Sequence, residues 1–101
     1  MSNRAVATVF VIQDVNGKNL LPAREFGEIC VILSGRESTD VAHLKLDTAL
    51  SHMTTDDYLM LIGNPINIAI AAHLALSRLG TVRFLRWNRD NYNYIEEVVI
   101  A

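Results

Sequence analysis

The chain has one cysteine, two prolines and only 7% aromatic residues in 101. A single thiol, Cys30, excludes an internal disulfide framework. It stands in the apolar run Ile29-Cys30-Val31-Ile32-Leu33, which predicts a small buried hydrophobe rather than a nucleophile. Cys30 and the three histidines (His43, His52, His73) show no metal-ligand spacing, so no metal and no cofactor are expected. There is no excess of one charge sign. Nine Lys and Arg face eleven Asp and Glu, for a net charge of -2, which speaks against binding led by phosphate contacts. Long hydrophobic runs are also missing. Ile66 to Leu79 is the longest, and Asn67, His73, Ser77 and Arg78 interrupt it, so no membrane span is expected. Met1-Ser2-Asn3-Arg4 leads into no cleavage-site pattern, and the expected compartment is the cytoplasm. Linkers, repeats and low-complexity tracts are absent, which predicts one domain over residues 1–101.

What is present is a core. Half of the chain is hydrophobic and a fifth is charged, a balance that argues against disorder. Ala5 to Val15 is apolar at both alternate sets of positions, as expected of a strand covered on two faces. Asn16-Gly17 marks a turn. Lys18 to Gly27 reads as an irregular connection, with one helical turn at Ala23-Arg24-Glu25-Phe26 and with Leu20, Leu21 and Phe26 tucked onto the core. Glu28 to Ser34 is a second strand, also apolar on both faces. Ser38, Thr39 and Asp40 offer caps for a helix over Val41 to Met53, whose apolar stripe is Ala42, Leu46, Ala49, Leu50 and Met53.

Tyr58 to Ile62 is unbroken in its apolarity, which predicts a central strand. Gly63-Asn64-Pro65 ends it. Asn64 can cap the next helix, and proline suits its first position because the missing amide hydrogen would have no partner there. That helix runs to Leu79, with Gly80 as its left-handed end, and its Ala and Ile content predicts deep burial. Thr81 to Trp87 and Tyr92 to Ile100 form a final antiparallel hairpin around Asn88-Arg89-Asp90-Asn91. With Trp87 opposite Tyr92, Leu85 faces Tyr94, Arg83 faces Glu96 and Phe84 meets Ile95. The order is β-β-α-β-α-β-β. It predicts an α/β (α+β) fold, a mixed sheet with two helices packed on it. The strands flanking the second helix should run parallel; strand order is left open.

Two places carry a hint of function. Gly63, Asn64 and Pro65 lie at the carboxyl end of a central strand and open a helix, where free amide hydrogens and the helix dipole favour an anion such as a nucleotide. A plain cap and turn explain the same letters, and neither the dinucleotide nor the phosphate-loop pattern is met. The other place is the hairpin. Arg78, Arg83, Arg86 and Arg89 fall within twelve positions, interleaved with Phe84, Trp87, Tyr92 and Tyr94. Arg83, Arg86, Trp87, Arg89, Tyr92 and Tyr94 together make a candidate interaction surface, for single-stranded nucleic acid, another protein or a second copy of the chain. Asp90, Glu96 and Glu97 in the same hairpin favour cross-strand ion pairs over nucleic acid.

His43 and Asp47 are four apart on a helix but have no nucleophile related to them, so a surface pair is expected. Asp56-Asp57 reads as a solvated turn, and His73 with Ser77 as a polar strip. No acid, base and nucleophile converge on one loop, and no enzyme is expected.

Gly17-Lys18-Asn19-Leu20-Leu21-Pro22-Ala23 with Phe26-Gly27, then Asp57 to Pro65, Gly80 and Leu85-Arg86-Trp87-Asn88-Arg89, resemble a group of small, uncharacterised tailed-bacteriophage proteins. That group carries an expected aspartate where Asn64 stands and often one where Asn88 stands. The amides here argue against catalysis or metal binding at either position. The resemblance implies an accessory role in the host cytoplasm and brings no catalytic residues with it. The leading expectation is a non-enzymatic binding protein acting by protein–protein contact or self-association.

Overall fold

A computed structural model describes residues 6–101; the start of the first expected strand, at Ala5, lies outside them. Five strands form one sheet: β1 (Thr8–Gln13), β2 (Glu28–Leu33), β3 (Tyr58–Met60), β4 (Thr81–Asn88) and β5 (Asn93–Ile100). Their order is β2-β1-β3-β4-β5. The first three pairings are parallel and β4–β5 is antiparallel. Two helices complete the fold, α1 (Thr39–Leu50) and α2 (Pro65–Leu79). The mixed sheet with two helices agrees with the sequence-based expectation, and β3 is central as its apolarity predicts.

The two-sided apolarity of β1 has a direct cause. Phe10 and Ile12 face the helices, packing with Leu46, Leu50, Ala71 and Ala75. Val9 and Val11 face the other way, into a second cluster with Ala23, Met60, Leu85 and Tyr94. Among the described residues no α-helix covers that second face. The connection between β1 and β2 does, through a 3-10 turn at Leu21–Glu25 with Pro22 as its second residue. Leu20 and Phe26 pack inward as expected, but Leu21 is exposed and Ala23 takes the buried place. Gly27 is required where this connection meets β2, because a Cβ there would fall 2.1 Å from the carbonyl oxygen of Ala7.

Both helices are punctuated by their sequence. Ser38 caps α1 by accepting from the Val41 amide, so the helix begins two residues before the expected Val41 and ends at Leu50. Asn64 caps α2, Pro65 opens it and Gly80 closes it at a φ of 77°. The expected deep burial of α2 is corrected: Asn67, Ala71 and Ala75 alone are fully buried, and Ile66 is 59% exposed. Small alanines face inward and let α2 lie close to the sheet and α1, while Ile68, Ile70, Leu74, Leu76 and Leu79 pack against the core half-buried. Cys30 is corrected too. It is exposed, because β2 is an edge strand and Cys30 lines an open cleft beside Leu44, Thr48 and His52 of the α1 side.

Asp57 departs most from expectation. It is buried, and its carboxylate accepts from the Thr8 amide at 2.8 Å, the Thr54 amide at 2.8 Å and the Thr54 hydroxyl at 3.1 Å. It ties the entry of β1 to the turn before β3.

Candidate functional site

The order β2-β1-β3 places the end of β1 beside the end of β3, with one chain continuing into the covering connection and the other into α2. In open α/β sheets such a divergence opens a crevice for ligands. Here the crevice is filled from within. The Oε1 atom of Gln13 accepts from the Asn64 amide at 3.0 Å and from Nδ2 of Asn67 at 3.0 Å. The Asn67 amide is taken by Oδ1 of Asn64 at 2.9 Å, and the Ile68 amide by the Asn64 carbonyl at 3.1 Å. Pro65 has no amide hydrogen. An incoming anion would therefore have to displace Gln13 to reach the Asn64 amide. Gly63 makes room for this arrangement. Its φ is 146°, and a Cβ there would lie 2.9 Å from Gln13. The Gly63-Asn64-Pro65 segment is thus a cap plugged by a side chain 51 residues away.

The hairpin carries the other candidate surface, and its register is shifted. Trp87 pairs with Tyr94, Leu85 with Glu96, Arg83 with Val98, Phe84 with Glu97 and Arg86 with Ile95. Each differs by two residues from the expected partner, because the loop spans Arg89 to Tyr92 rather than Asn88 to Asn91, with Tyr92 at a φ of 50°. A shift of two keeps every side chain on its expected face. Trp87 and Tyr94 meet edge to face at 5.0 Å. Tyr94 is nonetheless a core residue, not a surface one. It is 3% exposed, its hydroxyl donates to the Asn19 carbonyl at 2.8 Å, and burial raises its pKa.

The arginines are engaged with neighbours. Arg86 pairs with Glu97, and Arg83 approaches Glu96 at 3.9 Å while lying over the Tyr58 ring at 5.8 Å. The Tyr58 side chain is the main cause of an upward shift in the Arg83 pKa, with Glu96 adding to it. Arg78 donates to the carbonyls of Leu50 and Met53, joining α2 to the end of α1. Arg89 and Tyr92 sit at the exposed loop tip. The Arg and aromatic set is therefore divided: Tyr94 and part of Trp87 inside, Arg83 and Arg86 in ion pairs, Arg89 and Tyr92 outside.

What sequence reasoning leaves out of that surface lies in the same hairpin, at Val98, Val99 and Ile100. Among the described residues β5 is an edge strand with no neighbour on its outer side. Val98, Val99 and Ile100 are 56%, 41% and 79% exposed. The signal in the sequence is a run of three β-formers at the end of the last strand, which has the letters of interior sequence.

A family model described as Phage Pam3 gp32-like protein matches residues 7–100. The chain belongs to that family. The match agrees with the resemblance to small phage proteins. No curated protein and no solved structure matches this member of the family.

The remaining polar residues have local roles. His43 and Asp47 are exposed and form no ion pair among the described residues. Ser77 and His73 approach to 3.5 Å on the exposed side of α2. Glu37 closes the turn after β2, accepting from the Ser34 and Gly35 amides at 2.9 Å each and pairing with Lys45. The Ser34 amide is the main reason its pKa falls to about 2. Among the described residues no group of three or more His, Cys, Asp and Glu is placed to hold a metal, and no helix is long and apolar enough to cross a membrane.

Proposed function

We propose that this phage-family protein is a non-enzymatic accessory factor that works by protein–protein contact in the host cytoplasm. The observation that supports this reading is the open β5 edge. It combines unpaired backbone groups with three exposed apolar side chains, the combination that strand-adding partners use. The plugged Gly63-Asn64-Pro65 cap favours neither nucleotide nor anion. The arginine–glutamate pairs of the hairpin leave few free cations for nucleic acid.

The test is a binding measurement with the purified chain and a Val98→Pro variant, each immobilised and offered purified phage and host proteins, with the chain itself among them. Binding to the natural chain that the variant loses supports the reading. Equal binding by both, or none by the natural chain to any of these proteins, contradicts it.

A further inference from the structure

The backbone of β5 can be divided into inward and outward residues from two hydrogen bonds. The Ala101 amide donates to the Gly80 carbonyl at 2.8 Å, and the Leu61 amide donates to the Leu85 carbonyl at 3.0 Å. The first bond lies on the β4–β5 register and makes Ala101 point toward β4; the other makes Leu85 point away from β5, toward β3. Orientation alternates along a strand. Both bonds therefore agree that Asn93, Ile95, Glu97 and Val99 point at β4, whereas Tyr94, Glu96, Val98 and Ile100 present their amide and carbonyl groups to the outside. Tyr94 sits at the end tied to Asn19 and is buried. Glu96 to Ala101 are all exposed. The free edge is the C-terminal half of the strand.

Nothing in that half blunts it. Edges are commonly protected by proline or lysine, and neither occurs between Asn93 and Ala101. Its two charges, Glu96 and Glu97, already face arginines of β4.

We infer that β5 pairs antiparallel with β5 of a second copy, about a two-fold axis through Val98 normal to the sheet. The inference rests on the reading of a protein-contact function and names its partner. Such an axis keeps each residue on its own face, so outward residues meet outward residues. Three such registers overlap the free half closely. Centring on Glu97 sets Glu97 against Glu97 of the copy, at the closer type of pair, and like charges directly opposite are unfavourable. Centring on Val99 avoids this but shortens the overlap to Glu97–Ala101. Centring on Val98 sets Val98 on itself, Glu97 against Val99 and Glu96 against Ile100. No two glutamates stand opposite, each keeps its arginine, and Glu96, Val98 and Ile100 all reach hydrogen-bonding positions. That gives about six backbone hydrogen bonds. The same patch serves both copies, as closed two-fold assembly requires, and the result is a continuous ten-stranded sheet. The distribution of charge favours a second copy over an unlike strand, because the edge complements itself without any basic residue from outside.

The experiment is sedimentation equilibrium of the full chain over a wide concentration range. A reversible monomer–dimer equilibrium is expected. Val98→Pro removes an outward amide without touching the β4 ladder, and Val98→Lys sets two like charges on the axis. Either should weaken the dimer about tenfold or more, with the dilute melting temperature unchanged; Val98→Lys serves if the proline disturbs folding. In a Cys30→Ser background, Val98→Cys should oxidise to a disulfide-linked dimer, since the axial Cα atoms stand about 5.5 Å apart. Val99→Cys should not, because its copy lies diagonally beyond about 7 Å. A natural chain that stays monomeric throughout, or a dimer that both Val98 variants leave intact, overturns the inference. If the chain is monomeric yet binds a phage or host protein in a Val98-dependent manner, self-pairing falls and the contact function stands. If Val98 matters to neither, both fall.

Discussion

The plugged helix terminus and the open edge strand treat their backbone groups in opposite ways. At the ends of β1 and β3, Gln13 fills the crevice that the strand order creates and takes the Asn64 amide, while Asn64 takes the Asn67 amide. At β5, the amides and carbonyls of Glu96, Val98 and Ile100 have no neighbouring strand among the described residues. The helix terminus has the letters of a binding site and is structural. The edge strand has the letters of interior sequence and is free. What distinguishes them is whether the chain supplies a partner for its own polar groups, and that partner comes from far away in sequence.

The contrast can be broken by removing the partners. The largest effect is expected at Asp57, whose carboxylate holds three donors. Asp57→Ala leaves the Thr8 and Thr54 amides unpaired in a partly buried place and should cost about 3 kcal/mol in urea unfolding. Gln13→Ala comes next. It frees the Asn64 amide and Nδ2 of Asn67, with an expected loss of about 1–2 kcal/mol. It also sharpens the comparison. The natural chain should show no melting shift with nucleotides, and a gain of such a shift in Gln13→Ala would show that the glutamine alone closes an anion site.

A smaller effect concerns acid. The folded pKa of Glu37 is about 2, below its ordinary 4.5. A depressed carboxylate contributes stability that is fully present above pH 4.5 and is lost as the pH falls from there toward 2. Glu37→Gln should flatten that part of the pH profile of the melting temperature, and an unchanged slope would deny the turn its role. The smallest effect is at Arg86. Both members of the Arg86–Glu97 pair are about half exposed, so Arg86→Ala should change stability by no more than about 0.5 kcal/mol.

The parts of the fold that are legible in sequence are those with local causes. Asn64, Pro65 and Gly80 delimit α2 within one residue because caps act on adjacent amides. The double apolarity of β1 announces its two covered faces. What is not legible depends on distant partners. The hairpin slips by two residues because its four-residue loop sits one position further along, at Arg89 to Tyr92 with a left-handed Tyr92, which the aromatic pair that suggests the register does not reveal. Asp57 reads as a solvated acid because its partner Thr8 is 49 positions away. Cys30 reads as buried because apolar letters do not reveal which strands end a sheet. The phage family is legible from Gly17 to Gly27 and Asp57 to Arg89, and the match over residues 7–100 agrees with it.

The most direct test of the open edge is residue-resolved amide hydrogen exchange of the chain, measured dilute and then concentrated. In dilute solution the Glu97 and Val99 amides should exchange slowly and those of Glu96, Val98 and Ile100 quickly, and concentration should slow only the latter three. Uniform protection along β5 at every concentration would contradict the account, since it would mean that the edge is already covered within a single copy.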